Sequence, residues 1–254
     1  MCLVNFHFQQ HSKYKLIVVA NRDEEYGRPT QAAHFWEDEP NLLAGRDILQ
    51  KGTWLGISKN GRFAALTNYR DPSEPPRPFS RGDLVRNFLT NNQSAASYIN
   101  ELKQKRELYG GYNLLVGNGE ELFHYNNVLD ETNIITPGSH SVSNASLNSP
   151  WPKVTKGRTR LQEYIDTHPE EVQIEELFSI LLDREQAPDS ELPTTGVGIE
   201  MERNLSSLFI QIPDYGTRSS TVVLIDQQNN VNFVERTYIE GEFDSEKRFS
   251  FQVK

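Results

Sequence analysis

The sequence opens MCLVNFHFQQHSKYKLIVVANRDEE (residues 1–25), and this stretch decides the fold. Residues 2–8 place apolar side chains on one face and Asn5 and His7 on the other, which is typical of a half-buried strand. Residues 14–20 (YKLIVVA) are apolar at nearly every position, so they predict a second strand that is covered on both faces. The polar residues between the two segments predict a hairpin loop.

The register of this hairpin determines what lies beside the beginning of the chain. We pair Phe8 with Tyr14 across the loop. The same register places Cys2 opposite Ala20, and residues 21–25 (NRDEE) then emerge beside the cysteine. A slip of one or two residues would change side-chain directions, but it would leave this charged segment close to Cys2.

A second hairpin is marked by residues 53–58 (TWLGIS) and 62–68 (RFAALTN), which flank an Asn-Gly pair at 60–61. Asn-Gly favours a two-residue turn in which φ is positive at both positions. Such a turn would set Asn68 opposite Thr53 at the open end of the hairpin.

The rest of the chain divides into an irregular loop, helices and further strands. The proline-rich residues 71–80 cannot form regular structure, and a loop after a strand end is a usual rim of a binding site. Apolar spacing and turn signals predict helices at 82–90, 95–105, 153–167 and 173–183; strands at 112–116, 122–125, 206–212, 219–225, 231–236 and 248–252; two short segments around Pro137-Gly138 that end at 141–144; and a long irregular connection at 184–204. Strands come first and last, with helices between and no linker. This order predicts one α+β domain over residues 1–254, with segregated sheets and helical layers outside.

The composition and the absence of certain motifs indicate which kinds of partner and cofactor this chain does not bind. The net charge of −9 argues against nucleic acid as a partner, because phosphate binding needs a basic surface. No apolar run approaches the ~20 residues of a membrane span, and no signal peptide is visible. A single cysteine fits a reducing cytoplasm. The histidines lack metal-ligand spacing, and no phosphate loop or dinucleotide motif occurs, so we expect neither metal nor cofactor. The oligomeric state stays open.

Cys2 is a candidate nucleophile because of its position. Removal of Met1 would leave Cys2 with a free α-amine, whose ordinary pKa of about 8 would let it accept the thiol proton. The Arg22 guanidinium would favour the thiolate, and Asp23 would hold that guanidinium through a bidentate pair.

Amide hydrolysis also needs hydrogen-bond donors for the oxyanion. Asn68 and Asn144 are side-chain amides at predicted strand ends, and loss of one such donor typically costs about 3 kcal/mol. The same residues also have a purely structural interpretation. A lone cysteine is often a small buried side chain, residues 21–25 can form a charged turn, and both asparagines can be turn residues.

Several separate motifs, in the right order over nearly the whole chain, resemble the NRDE family, the transport and Golgi organisation protein 2-like proteins. They are Met1-Cys2, 20–24 (ANRDE), 52–57 (GTWLGI), 64–69 (AALTNY), 143–145 (SNA) with Pro150-Trp151, and 215–218 (YGTR). More distantly, the layout resembles the N-terminal-nucleophile hydrolases of the cholylglycine hydrolase and penicillin V acylase type. That resemblance implies a four-layer αββα sandwich of two antiparallel sheets flanked by helices. It also implies amide hydrolysis through a covalent acyl-enzyme, with the nucleophile at the start of a central strand.

The resemblance also assigns roles by position. It implies four catalytic residues: the nucleophile Cys2, the arginine Arg22, and the asparagines Asn68 and Asn144. The acylases place their aspartate three residues after the arginine, where this chain has Glu25, whereas Asp23 follows Arg22 directly. Asp23, Glu24 and Glu25 therefore all stay open as the acidic partner, with Asp23 assigned first. Substrate contacts are assigned to Asn21, Tyr69 and Arg218.

These observations predict an N-terminal-cysteine hydrolase that cleaves a linear amide C–N bond through a thioester acyl-enzyme. The substrate would be a small molecule, an acylated amine or a lipid-like compound. The alternative is a non-catalytic protein on the same scaffold that binds or traffics a lipid, acyl-CoA or haem, with Cys2 and His7 meeting the ligand. A third possibility, with no site at all, predicts that Cys2 is unreactive toward iodoacetamide in the folded protein.

Overall fold

Two antiparallel sheets packed face to face, with helices on both outer sides, form the computed structural model, which describes residues 2–253. The first sheet contains β1 (Cys2–Phe8), β2 (Tyr14–Glu25), β10 (Gly138–Val142), β11 (Gln211–Ile212), β12 (Tyr215–Asp226), β13 (Asn230–Ile239) and β14 (Glu242–Gln252). The second sheet contains β3 (Thr30–Phe35), β4 (Leu42–Asp47), β5 (Leu55–Ser58), β6 (Phe63–Asn68), β7 (Tyr112–Gly117), β8 (Leu122–Asn126) and β9 (Glu131–Ile134). The helices are α1 (Gly82–Thr90), α2 (Ala95–Gln104), α3 (Pro152–Thr167), α4 (Ile174–Leu181) and α5 (Ile199–Asn204).

The strand order makes β1, at the beginning of the chain, an interior strand of the first sheet, next to the edge strand β10. That sheet runs β10-β1-β2-β12-β13-β14, with β11 on β12, and the second sheet runs from β3 to β9 in chain order. The long-range β2–β12 pair joins the first and last parts of the chain. The predicted α+β sandwich, with its helical layers outside, is confirmed.

Three apolar layers hold this sandwich together, and strand alternation assigns each side chain to one of them. Val4, Phe6 and Phe8 point between the sheets, where they meet inward residues of the second sheet. Leu3 points the other way and packs with α3 and α4. Helices α1 and α2 cover the outer face of the second sheet. Each sheet is therefore covered on both faces.

The first hairpin forms as predicted but in a different register. Cys2 lies opposite Arg22, and Phe8 lies opposite Leu16, which is a shift of two residues from the predicted pairing. The ring of His11 accepts hydrogen bonds from the backbone N–H groups of Lys13 and Tyr14, which orders a longer loop. Because the shift is even, every side chain keeps its predicted face.

The second hairpin differs by an odd shift. Leu55 pairs with Ala65, and the loop has three residues that end at Gly61, where φ is +77°. The predicted two-residue Asn-Gly turn is therefore wrong. A three-residue loop of this kind needs only one left-handed position, which Gly61 supplies. The predicted pair of Asn68 with Thr53 is also absent, because β5 begins only at Leu55. Asn68 pairs with Tyr112 on β7.

The four predicted helices are confirmed to within about two residues, but the chain around residue 200 differs from the prediction. Residues 184–204 contain α5, where the prediction had only irregular structure. Of the predicted strand at 206–212, only Gln211–Ile212 pairs with β12. The apolar residues before it are buried as an irregular segment, because side chains elsewhere satisfy its backbone groups. Among the helices described, none is long and apolar enough to cross a membrane.

Candidate active site

A cavity of about 860 Å³ opens between the two sheets at the end where β1 begins. Its wall includes Cys2, Arg22, Asp23, Asn68 and Arg218, which the sequence predicted for the site, and also Trp54. The layer between the sheets is apolar up to this end, where polar side chains replace apolar ones. A concave site with a few convergent polar groups is the usual form of a small-molecule site.

Cys2 is buried in this wall, with 8% of its surface exposed, and it lies directly opposite Arg22. Opposite side chains on one face of a sheet have Cβ atoms about 5 Å apart, so the thiol and the guanidinium side chain are neighbours. The backbone N–H of Asp23 hydrogen-bonds the thiol. Burial raises the pKa of the Cys2 thiol, and ionisation of the thiol therefore needs a base.

The predicted pair between Arg22 and Asp23 does not form. Arg22 Nη1 donates to Thr30 Oγ1 at 3.3 Å, and Nη2 lies 3.5 Å from Glu24 Oε2. Because β2 continues to Glu25, consecutive side chains point to opposite faces. Arg22 and Glu24 therefore share the inner face, and Asp23 lies on the other face of β2 while still bordering the cavity.

Asp23 belongs to a buried polar cluster behind Cys2. The Thr217 hydroxyl donates to Asp23 Oδ1 at 2.7 Å, and 2% of Asp23 is exposed. Burial raises the pKa of the Asp23 carboxyl, and the nearby Lys153 ammonium opposes that rise. Glu25, the third candidate for the acidic partner, is exposed. Of the three acids, Glu24 is the one that contacts the arginine.

The two predicted asparagines have different surroundings. Asn68, at the end of β6, lines the cavity, and its side-chain amide makes no hydrogen bond within residues 2–253. Asn144 is fully buried; its Nδ2 donates to the Asn68 carbonyl at 2.9 Å, and its Oδ1 accepts from Lys153 Nζ at 3.2 Å. The Ser143 hydroxyl donates to the carbonyl of Cys2 at 2.8 Å and lies 3.0 Å from Asn144 Oδ1. Asn144 thus holds the backbone beside Cys2 and Asn68 and is not part of the cavity wall.

Lys153 is a residue of this cluster that the sequence analysis missed. It lies in the first turn of α3 with 2% exposure, and burial together with Arg70 lowers its pKa to about 8. A cation at a helix N-terminus is also opposed by the helix dipole. Arg70 Nη1 pairs with Glu202 Oε2 at 2.5 Å, with both side chains almost fully buried. The one signal in the sequence is a lysine at the start of a predicted helix.

Two of the predicted substrate contacts lie elsewhere. Asn21 is fully buried on the outer face of β2, where its Nδ2 donates to the carbonyls of Leu181 and Leu208 at 3.0 and 2.8 Å. The Tyr69 backbone N–H donates to the Gly111 carbonyl, and Tyr69 is not in the cavity wall. Neither residue lines the cavity: Asn21 is turned away by strand alternation, and Tyr69 follows the end of β6.

Arg218 does reach the cavity, but its bonds within the structure are structural. Its Nη1 donates to the carbonyls of Glu25, Tyr26 and Arg28 at 2.8, 2.9 and 3.1 Å. No carboxylate of the described chain lies within ion-pair distance of it. Arg218 therefore fixes the turn between β2 and β3 and borders the cavity with an unneutralised charge.

Glu235 is a second cavity residue that the sequence analysis missed. It lies on the inner face of β13 with 3% exposure, and its Oε1 accepts from the Ala33 backbone N–H at 2.6 Å. Burial raises the pKa of the Glu235 carboxyl to about 7. Nothing in the sequence separates this glutamate from the surface acids, because its burial depends on how the two sheets stack.

The predicted meeting of Cys2 and His7 at one ligand is wrong. The two residues point to opposite faces of β1, and a separation of five residues along a strand is about 17 Å. His7 Nδ1 instead lies 2.8 Å from Ser139 Oγ on β10. Within the part of the chain that the structure describes, no three His, Cys, Asp or Glu side chains form a metal-binding group.

Solved structures with this architecture define its class. A mutant of the conjugated bile acid hydrolase from Clostridium perfringens has a TM-score of 0.57 and 8% sequence identity, and the match covers 99% of this chain and 97% of that chain. A second variant of the same hydrolase has a TM-score of 0.54 at 8% identity, with 99% and 98% covered. This likeness shows the fold. The chain has the four-layer fold of the N-terminal-nucleophile hydrolases, as predicted.

Comparisons of sequence then identify the family. The model of the family described as Transport and Golgi organisation 2 matches residues 1–240. The human Transport and Golgi organization protein 2 homolog is 35% identical over 260 residues, with 94% of each chain covered. The mouse homolog is 33% identical over 259 residues, again with 94% of each covered. The Drosophila melanogaster protein is 28% identical over 262 residues, with 93% of this chain and 92% of the relative covered. The chain belongs to the Transport and Golgi organisation 2 family, and the predicted family is confirmed.

Proposed function

We propose that this chain is an N-terminal-cysteine hydrolase that cleaves a linear amide C–N bond in a small molecule. The observation that carries the proposal is the group of three side chains in one cavity wall: the thiol of Cys2, the guanidinium of Arg22 opposite it, and the unbonded amide of Asn68. These are a nucleophile, a positive charge and a neutral donor, which acyl transfer requires.

In the proposed reaction, Cys2 Sγ attacks the amide carbonyl and forms a C–S bond. The thiol proton passes through a base to the departing nitrogen, and the C–N bond breaks to release an amine. Asn68 Nδ2 donates to the oxyanion while Arg22 stabilises the thiolate. Water then attacks the thioester, which releases a carboxylic acid and regenerates the thiol.

The base in this proposal is the α-amine of Cys2, which exists only after Met1 is removed. That step lies outside the described residues. Intact mass of the protein from its native cell tests it directly, since a mature chain that retains Met1 has no such amine. The base would then have to be sought elsewhere, and the mechanism as written would be rejected.

The main test is a panel of N-acyl aminocoumarins, from acetyl to dodecanoyl and with either methyl or hydroxyl chain ends, assayed by release of the fluorescent amine. We expect turnover that Cys2→Ala abolishes, together with an added acyl mass on Cys2 when the reaction is stopped with acid. A matched control is Ser146→Ala, a half-buried residue outside the cavity wall. Turnover that survives Cys2→Ala would reject the proposal.

One observation favours a second candidate, a non-catalytic binder of a lipid, acyl-CoA or haem. Burial raises the pKa of the Cys2 thiol and so favours its neutral form, which is a poor nucleophile. The binder predicts saturable binding of a fluorescent acyl-CoA with no release of product. For haem it predicts a shift of the Soret band on titration.

A further inference from the structure

Glu235 is a buried acid without a cationic partner among residues 2–253. It is 97% buried, as its 3% exposure implies, and it lines the same cavity as Cys2. No Lys, Arg or His nitrogen of the described chain lies within 4 Å of its carboxylate, although Arg22 is near enough to favour the charged form. A buried carboxylate without a partner is costly and therefore needs an explanation.

One of its two oxygens has a structural use. The register of β3 and β4 shifts between Gln31 and His34, so the N–H of Ala33 has no partner on β4. Glu235 Oε1 accepts that N–H at 2.6 Å and thereby links the two sheets. A neutral acceptor would serve the same purpose, so this bond alone does not explain a carboxylate.

The second oxygen is available to a ligand. Oε2 makes no hydrogen bond to any residue that the structure describes, and it lies beside Gly45 of β4, which is also in the cavity wall. A Cβ added at Gly45 would stand 3.5 Å from Oε2, so the absence of a side chain there keeps the approach to this oxygen open.

The position of Glu235 relative to Cys2 sets the length of ligand that could contact both. β1, β2, β12 and β13 are consecutive in the first sheet, and three strand spacings amount to about 14 Å. Arg22 lies between them on β2. The cavity wall therefore contains a nucleophile and an acceptor that lie three strands apart.

We propose that Glu235 Oε2 is a second binding point of the cavity, which accepts a hydrogen bond from a hydroxyl or primary amine at the end of the ligand far from Cys2. Resting on the proposed function, this assigns the substrate class: an amide whose remote end carries such a donor, and not a purely apolar acyl chain. Oε1 keeps its bond to Ala33 throughout.

The test uses the single cysteine as a covalent reporter. Alkyl chloroacetamides react with Cys2 and leave their alkyl tail in the cavity, and intact mass gives the rate without ambiguity because the chain has one cysteine. The tails end in amino, hydroxyl, methoxy or methyl groups, each over a series of chain lengths. The amino and hydroxyl tails distinguish the two kinds of donor, and the methoxy tail only accepts.

At a pH well above the Glu235 pKa of about 7, where its carboxyl is charged, we expect the better donor tail to react about tenfold faster than the methoxy tail at one optimal length, as a hydrogen bond to a charged group predicts. Glu235→Gln keeps an oxygen for Ala33 and presents an N–H₂ group in place of Oε2. The preference should therefore reverse between amino and methoxy tails. Glu121→Gln is the control, because Glu121 is an exposed glutamate outside the cavity wall. It should keep the wild-type preference.

Gly45→Ala provides a second variant in case Glu235→Gln unfolds at a lower temperature than the wild type. It keeps the carboxylate but adds a Cβ 3.5 Å from Oε2 and 3.2 Å from the Gln31 carbonyl, which narrows the approach to Oε2, so the donor preference should fall to about unity. Equal rates for all tails in the wild type, or the same preference in Glu235→Gln, would overturn the inference. A donor preference without any amide turnover would retain the binding point and reject the hydrolase.

Discussion

Asn68 and Asn144 show at the residue scale how neighbours determine what an amide can do. Both lie at strand ends, and the sequence treats them alike. In the structure, the Asn144 side chain is hydrogen-bonded to Lys153 and to the Asn68 carbonyl. The Asn68 side chain lines the cavity and makes no hydrogen bond to a described residue. A sequence shows the residue type at a strand end but not which of its atoms are already bonded.

Replacement of Asn68 tests its role as oxyanion donor. Asn68→Ala should lower kcat by about 100- to 1000-fold with little change in KM, because the donor acts mainly in the transition state. Steady-state kinetics on the best aminocoumarin substrate measure this. Asn60→Ala, at an exposed asparagine outside this cavity, should leave kcat unchanged. A wild-type kcat in Asn68→Ala would remove Asn68 from the mechanism.

The acidic partner of Arg22 can be identified by a pair of matched variants. Glu24→Gln removes the charge that lies 3.5 Å from the guanidinium, whereas Glu25→Gln removes an exposed charge on the next residue. We expect Cys2 alkylation by iodoacetamide to slow about threefold in Glu24→Gln only, a modest effect because the ion pair is partly exposed. Equal rates in the two variants would show that Glu24 does not orient Arg22.

At the scale of elements, the hairpins show where sequence patterns succeed and where they stop. The alternation of apolar and polar residues assigned the side chains of β1 and β2 to their correct faces. A register shift of two residues leaves every side chain on the same face of the sheet. It could not fix the register, which depends on the bonds that the His11 ring makes inside the loop.

Long-range pairing accounts for most of what the sequence could not predict. β2 lies beside β12, and Glu235 is buried because β13 faces β3 across the sandwich. Lys153 and Glu235 therefore have no local signal. Each is a charged residue in an ordinary amphipathic segment, and only the stacking of layers separates it from solvent.

The docking of α3 on β1 gives an element-scale prediction. A Cβ at Gly157 would stand 2.4 Å from Asn5 Oδ1, and Asn5 is fully buried with a hydrogen bond from Ser141. Gly157→Ala should therefore lower the free energy of unfolding by about 1–3 kcal/mol, as overpacking does. Urea denaturation measures it.

Gly27→Ala serves as the control for that measurement, because a Cβ there meets nothing within 4 Å. It should change stability by less than about 0.5 kcal/mol. Equal stability in the two variants would mean that α3 can shift away from β1 at no cost.

At the scale of the whole molecule, a buried histidine makes stability depend on pH. His124 Nε2 lies 2.9 Å from Asn113 Oδ1, and the Asn133 amide lies 3.3 Å from His124 Nδ1. Asn113 in turn donates to the carbonyl of Ser143, which directly follows β10 of the other sheet, at 3.1 Å. Burial lowers the pKa of His124 to about 4, so the ring stays neutral in the folded protein.

Unfolding releases this histidine to its ordinary pKa of about 6.5. Between pH 6.5 and 4 the unfolded chain therefore binds a proton that the folded chain does not, and stability falls as the pH falls. The loss should reach about 3 kcal/mol at pH 4, and His124→Gln should lose correspondingly less over the same window. Urea melts at several pH values measure this, with His34→Gln, at a half-buried histidine, as control. Parallel pH profiles for wild type and His124→Gln would contradict the prediction.

The placement of the three tryptophans has an optical consequence. Trp36 is sealed in the core, where Arg46 covers its ring at 4.0 Å, and Trp151 packs under Arg70 at 4.7 Å. Trp54 is the one tryptophan of the three that lines the cavity. A molecule that enters would displace water from one indole and leave the other two unaffected. The emission spectrum of the unlabelled protein should therefore shift to shorter wavelength on ligand binding, and Trp54→Phe should abolish the shift.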